Sequence, residues 1–187
     1  MVGLLGGSFD PIHHGHLIGA RRLLEKLELS AVRLVPAREQ PFKRGSHGAE
    51  AEDRARMVEL AVQEEPGLSL EPCELDRPGP SWTVDTLRHL RATEPDQQFV
   101  LLLGADAARE LDKWREAADL PGLATIVVFA RPGSPPPVSP LVHRVVEIPA
   151  VGISSTEIRE RVRGGRSIRY LVPPAVEDHI RGRSLYI

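Results

Sequence analysis

Short apolar runs alternate with segments of helical period from one end of the chain to the other. A chain with that alternation sets its strands side by side and crosses between them with helices, which is an α/β fold on a mostly parallel sheet. The first strand reads over residues 2–5 and ends in Gly6 and Gly7. A helix follows over about 15–27, with Leu17, Ala20, Leu24 and Leu27 on one stripe, and then a second strand over 31–35. Residues 36–49 carry Pro, Gly, Ser and His without periodicity and read as a long loop of the kind that is often functional. Helix resumes near Glu50, lined by Met57, Leu60 and Ala61. The pattern then predicts a strand over 68–75, a helix over 84–90, and a fully apolar strand over 99–103 at the centre of the sheet. A helix over 105–118, a strand over 123–130, a Pro-rich loop over 131–140 and a last strand near 142–148 follow. From about 153 to 187 the chain is helical. Ser154 and Glu157 fit a capping box, Gly164 and Gly165 stop that helix near Arg163, and Pro173-Pro174 open a final helix through Val176 and Ile180.

With 187 residues the chain fits one domain, over 1–187. A formal charge of -2 argues against the broad cationic surface that nucleic-acid or membrane binding requires, and leaves room only for a small basic cleft. The one cysteine, Cys73, has no partner for an intramolecular disulfide, and no Cys/His spacing offers a structural zinc site, so a reducing cytoplasm is expected. The first residues lack the basic and long apolar parts of a signal peptide, and no run approaches the roughly 20 apolar residues that span a bilayer. Of the 24 basic residues 21 are Arg and only three are Lys, so each Lys is worth locating. Whether the chain forms a homo-oligomer is left open.

A first strand that ends in glycines and leads into a helix is where α/β folds bind phosphate, because helix N-terminal N–H groups converge there unobstructed. The sequence has no G-x-G-x-x-G and no G-x-x-x-x-G-K-[ST], which sets aside the usual dinucleotide loop and the P-loop. In their place stands Gly6-Gly7-Ser8-Phe9-Asp10-Pro11-Ile12-His13-His14-Gly15-His16. Its histidines are open to three readings: metal ligation, surface loop residues, or imidazole N–H donors to phosphate. Sparse local carboxylates and a glycine loop suited to anions favour the last. A second candidate anion site is Ile153-Ser154-Ser155-Thr156-Glu157-Ile158-Arg159, a capped helix start carrying hydroxyls and an arginine, whose alternative is an ordinary well-capped helix.

Together these segments resemble the H-x-G-H nucleotidyltransferases, and the order of further motifs resembles the bacterial nicotinate-nucleotide adenylyltransferase family. The further matches are Ser81-Trp82-Thr83, Gly104-Ala105-Asp106, Trp114, Arg131-Pro132-Gly133 and Ser167-Ile168-Arg169-Tyr170-Leu171-Val172-Pro173, spread over nearly the whole chain. The resemblance implies a single Rossmann-like domain that moves AMP from ATP to nicotinate mononucleotide, with magnesium accompanying the ATP. It also implies that the substrate's own phosphate attacks, so that no enzyme nucleophile is needed. The sequence agrees, having no G-x-S-x-G, no S-x-x-K and no paired Cys/His.

By the same resemblance His13, His16 and Arg159 are the expected catalytic residues. His13 and His16 would hold the ATP phosphates, and Arg159 would clamp the β and γ groups. Gly6, Gly7, Ser8, Phe9, Gly15, Gly104, Asp106, Ser154 and Ser155 are expected at the ATP, with Asp106 as a simple helix N-cap the competing role. Lys43, Trp82, Thr83, Trp114 and Arg131 are expected around the second substrate, Trp114 by stacking on the pyridine ring. No residue is expected to ligate a metal directly. One departure is Gln40-Pro41-Phe42-Lys43, where the family has Pro-Pro-His-Lys; Phe42 removes a donor. Rival readings are another member of the superfamily, such as a pantetheine-phosphate adenylyltransferase or a cytidylyltransferase, and a non-catalytic nucleotide sensor.

Overall fold

The structure is a computed structural model and describes residues 1–39, 48–130, 133, 139–149 and 151–187. Six strands form one all-parallel sheet in the order β3-β2-β1-β4-β5-β6. They are β1 (Val2–Gly7), β2 (Ala31–Pro36), β3 (Leu68–Leu70), β4 (Phe99–Gly104), β5 (Thr125–Ala130) and β6 (Arg144–Glu147). The chain builds outward from β1 to β3, then crosses back to lay β4 against the other side of β1, so the order reverses between β1 and β4. Open α/β sheets bind ligands at such a reversal, outside the carboxyl ends of the strands. Both strands arrive there with glycine, Gly6-Gly7 on β1 and Gly104 on β4.

Each strand sends alternate residues to opposite faces, and both faces are covered. On one, Leu5, Val32, Leu34, Val100, Leu102 and Val127 pack under α1 (His14–Lys26), α2 (Ala51–Val62), α6 (Ser155–Arg163) and α7 (Pro174–Gly182). On the other, Leu4, Val35, Leu101, Leu103, Ile126 and Val128 pack under α3 (Thr83–Thr93) and the short α4 (Ala105–Arg109) and α5 (Leu120–Leu123). Helices thus cover both faces of the sheet, the C-terminal part is helical as expected, and β4 lies at the centre, buried over Phe99–Leu103. Among the described residues no helix is long and apolar enough to cross a membrane.

Three elements differ from expectation, each for a local reason. The strand expected over 68–75 is only three residues long. Glu71 still donates its N–H to Leu34, but Pro72 has no N–H to give and the chain turns, with Leu75 N–H on the Pro72 carbonyl. The single helix expected over 105–118 is broken. It stops at Arg109, passes through 3-10 turns at Leu111–Lys113 and Ala117–Asp119, is extended at Trp114 (ψ 151°), and is left-handed at Glu116 (φ 51°). Residues 120–123, read partly as strand, form α5 instead. In α6 half of the capping box is made: Ser154 Oγ accepts the Glu157 N–H at 3.1 Å, while the Glu157 carboxylate turns to Arg161. Gly165, at φ 64°, ends that helix.

Candidate active site

The segment between β1 and α1 is held by its neighbours. Phe9 takes a left-handed backbone (φ 48°), which turns its ring under Gly7 and edge-on to His16, with centroids 5.1 Å apart. His13 occupies the N-cap position of α1 without capping it through its side chain, and the His14 N–H at the helix start is satisfied by the Leu171 carbonyl at 2.9 Å. His13 and His16 stack, with ring centroids 3.7 Å apart and planes 22° from parallel. Gly15 is needed for this: a Cβ there would meet His13 Nδ1 at 2.9 Å. The Nδ1 atoms of both rings are buried and without a hydrogen-bond partner among the described residues. Burial, and secondarily the repulsion between neighbouring rings, pulls His13 from the usual 6.5 down to about 4 and His16 to about 3. Both imidazoles are thus neutral at pH 7, with polar atoms held out of water. Such groups are costly until something binds them.

Two cavities meet at the carboxyl ends of β1 and β4. One, of about 550 Å³, is lined by Gly6, Gly7, Phe9, Gly15, His16, Gly104, Asp106 and Arg109, and is closed behind by Phe129, Ile148 and Val151. The other, of about 570 Å³, is lined by Glu74, Ser81, Trp82, Thr83, Thr86, Trp114 and Arg115. They share Gly6, Gly7, Gly104 and Asp106. A Cβ built on Gly6 meets nothing within 4 Å, so the strand end is a backbone divide between two chambers. Asp106 is fully exposed beside Arg109 at 2.7 Å and makes no capping bond, so the competing N-cap role is not the one it has. Trp82 precedes the first turn of α3, with the Arg115 guanidinium 5.8 Å from its ring. The break in the helix after Arg109 is what turns Trp114 into the same cavity.

The second candidate segment comes up against the first. Arg159 donates from Nη1 to the Asp10 carbonyl at 2.7 Å and lies 3.8 Å from the Asp10 carboxylate. Ser155 Oγ donates to the Pro11 carbonyl at 2.9 Å, and Ser154 Oγ is occupied by the cap. The two serines therefore serve the architecture of the loop, whereas Ser8 is half-buried beside the glycines. Phe9, Gly15 and His16 line one chamber, Trp82, Thr83 and Trp114 the other, and Gly6, Gly7, Gly104 and Asp106 border both; His13, Ser8 and Arg159 line neither, His13 stacking on His16 and Arg159 meeting the loop at Asp10. Lys43 and Arg131, and Phe42 with them, lie outside the described residues.

Sequence reasoning passed over four residues. Asp10 is buried and accepts from the Gly48 and Ala49 N–H groups and from Tyr186 Oη at 2.7, 3.1 and 2.8 Å. Arg54 is the largest fully buried side chain, at 1% exposure. Burial raises the pKa of Glu74, opposed by its hydrogen bonds to Thr86 and Ser81 and by Arg77. The only signal that could have found Arg54 is its place in the apolar register of α2, three, four and seven residues before Met57, Val58 and Ala61.

The family model described as cytidylyltransferase-like matches residues 4–161. A Thermus thermophilus protein named "Probable nicotinate-nucleotide adenylyltransferase" is 49% identical over 99% of this chain and 98% of its own length. One of the same name from Geobacillus thermodenitrificans is 44% identical over 99% and 85%. The fold is shared with the Plasmodium falciparum nicotinic acid mononucleotide adenylyltransferase complexed with NaAD. That match has a TM-score of 0.81 over 99% of this chain and 96% of the other, at 21% identity. With nearly every residue of the chain aligned to relatives at this level of identity, and with the H-x-G-H pair at the turn of the sheet where such a fold binds its ligand, the chain belongs to the cytidylyltransferase-like family and, within it, to the nicotinate-nucleotide adenylyltransferases.

Proposed function

We infer that the chain transfers the adenylyl group of ATP to the phosphate of nicotinate mononucleotide, giving nicotinate adenine dinucleotide and pyrophosphate. The observation that carries this reading is the pair of cavities of similar size joined at a glycine divide, one bordered by His16, which stacks on His13, and the other by two tryptophans. A dinucleotide is two nucleotides joined through their phosphates, and a site that makes one needs that shape.

A phosphate oxygen of the acceptor attacks the α-phosphorus of ATP; a new P–O bond forms, and the bond to the bridging oxygen breaks as pyrophosphate leaves. An acceptor phosphate with a second pKa of about 6 is largely ionised at neutral pH, so no protein base has to activate it. Nor does the one cysteine serve as a nucleophile: Cys73 is buried, and burial with the Glu71 and Glu74 charges pushes its thiol up to about 12. The protein's task is to align two polyanions and offset their repulsion. His13 and His16 donate to the triphosphate through their imidazole N–H groups. A bound polyanion raises the imidazole pKa, so the stacked pair can take up positive charge as negative charge builds on the leaving group. With the rings 3.7 Å apart, one proton shared over the pair is favoured over two. Arg159, already at the Asp10 carbonyl, lies within reach of the β and γ groups. Trp114 stacks on the pyridine ring, and the Trp82-Thr83 segment hydrogen-bonds its carboxylate.

Magnesium fits this site as a passenger on ATP. The Asp10 carboxylate, the acid nearest the phosphate loop, is occupied by three donors, so an ion arriving with ATP would be held through phosphate oxygens and water. Its chemistry there is to neutralise phosphate charge.

The test is pyrophosphate release with MgATP and a panel of nicotinate mononucleotide, nicotinamide mononucleotide and phosphopantetheine. The expected result is turnover with the first, and a His16→Ala chain slowed by about 100- to 1000-fold in kcat, as for loss of an oxyanion donor. Turnover with phosphopantetheine alone, or an unaffected His16→Ala chain, overturns the reading.

A further inference from the structure

One arginine lies behind the phosphate loop with all three kinds of its nitrogen in use. Arg54 donates from Nε to the Ala49 carbonyl (3.2 Å), from Nη1 to the Ser8 carbonyl (2.7 Å) and from Nη2 to the Arg38 carbonyl (3.0 Å). Among the described residues it forms no ion pair, an unusual condition for a buried charge. Its acceptors are not random: Ser8 belongs to the phosphate loop, and Arg38 and Ala49 stand on the two sides of the 36–49 connection, before and after residues 40–47. A second buried group ties two of these places, the phosphate loop and the far side of the connection, to the C-terminal end of the chain. Asp10, two residues beyond Ser8, accepts from the N–H groups of Gly48 and Ala49 and from the hydroxyl of Tyr186, the penultimate residue of the chain. Gly48 has no room for a side chain there, since a Cβ would meet the Tyr186 ring at 2.9 Å.

We propose that Arg54, with Tyr186 acting through Asp10, is a positioning residue for ATP: a buried brace that fastens both flanks of the 36–49 connection and the chain's C-terminal end to the phosphate loop, so that they meet the triphosphate as one unit. The physical basis is twofold. A planar guanidinium fixes three carbonyls in one relative geometry, which no other side chain can do. Binding of the Arg54 guanidinium to the Ser8 carbonyl also sets a cation behind the loop, with the negative end of that peptide dipole facing it rather than the cleft. Neither Arg54 nor Tyr186 lines either chamber, but the two loop residues they hold, Ser8 and Asp10, flank Phe9, which lines the histidine chamber and not the one that holds the tryptophans. The brace therefore acts on one substrate and not on the ring of the other. The assignment of that substrate as ATP rests on the function proposed above.

The experiment compares wild type with Arg54→Met, Arg54→Lys and Tyr186→Phe, each checked by circular dichroism to be folded at the assay temperature. Calorimetry with MgATP is read first, then KM for each substrate. The expected result is ATP binding weakened about tenfold in Arg54→Met and less in Arg54→Lys and Tyr186→Phe, with KM for the acceptor within twofold of wild type. A merely structural role lowers the active fraction without moving either constant. If Arg54→Met does not fold, the other two variants decide. ATP affinity within twofold of wild type in every folded variant overturns the brace. A wild-type chain that binds ATP but turns over no acceptor overturns the functional reading and leaves the brace to be judged on binding alone.

Discussion

At the scale of single residues the histidine pair has the most to say. Their folded pKa values, about 4 and 3, lie below the ordinary 6.5. The unfolded chain therefore binds more protons between those limits, and the stability that the neutral rings contribute is complete above pH 6.5 and lost as pH falls toward 4. Between pH 7 and pH 5 each ring forfeits on the order of 2 kcal/mol. The expected outcome is a melting temperature that drops over this range in wild type and drops much less in a chain carrying His13→Gln and His16→Gln. Parallel melting curves of the two proteins against pH would rule out burial as the cause. The sequence declared that these histidines sit at a helix mouth beside glycines. It did not declare that they stack, because stacking depends on the small residue at 15 and on Phe9 turning its ring beneath His16.

At the scale of elements, α6 carries Arg159 and Ser155 to the loop, and its start was legible because a cap is local chemistry: Ser154 and Glu157 are three residues apart and need nothing else. Ser154→Ala removes that bond and should cost about 1 kcal/mol. In a domain of this size the loss appears as a fall of roughly 2–4 °C in Tm with kcat nearly intact, since Arg159 is also held through Asp10. A loss of kcat out of proportion to stability would mean that the cap aims the arginine. The long helix expected over 105–118 was not legible as the broken segment it is. Its composition favours helix throughout, and only tertiary packing, which buries Leu111, Ala117 and Leu120 on the sheet, forces the left-handed Glu116. That break is what delivers Trp114 to the cavity.

For the whole molecule, the division of labour is between two chambers on either side of a backbone divide. Trp114 lines one and not the other. Trp114→Ala should accordingly raise KM for the pyridine nucleotide about tenfold, equivalent to ~1.4 kcal/mol of lost contact, and leave KM for ATP within twofold. Equal effects on both constants would mean that the chambers do not bind separately. The sheet order behind this arrangement follows from the alternation of apolar runs and helical segments only as far as the parallel class. The reversal that sets β4 beside β1, and so brings Gly104 to Gly6, is a property of the assembled chain.

By itself the sequence determined the α/β class, the ends of most elements and the family motifs, because each of these is written within a few positions: a period, a cap, a glycine where a backbone must come close. Only the tertiary structure decided that Arg54, Asp10 and Tyr186, far apart along the chain, converge behind the phosphate loop, and that Ser155 is committed to a carbonyl. A buried polar group is recognised by the partners that satisfy it, and those partners are carbonyls and amides that every residue carries, so no spacing of side chains announces them.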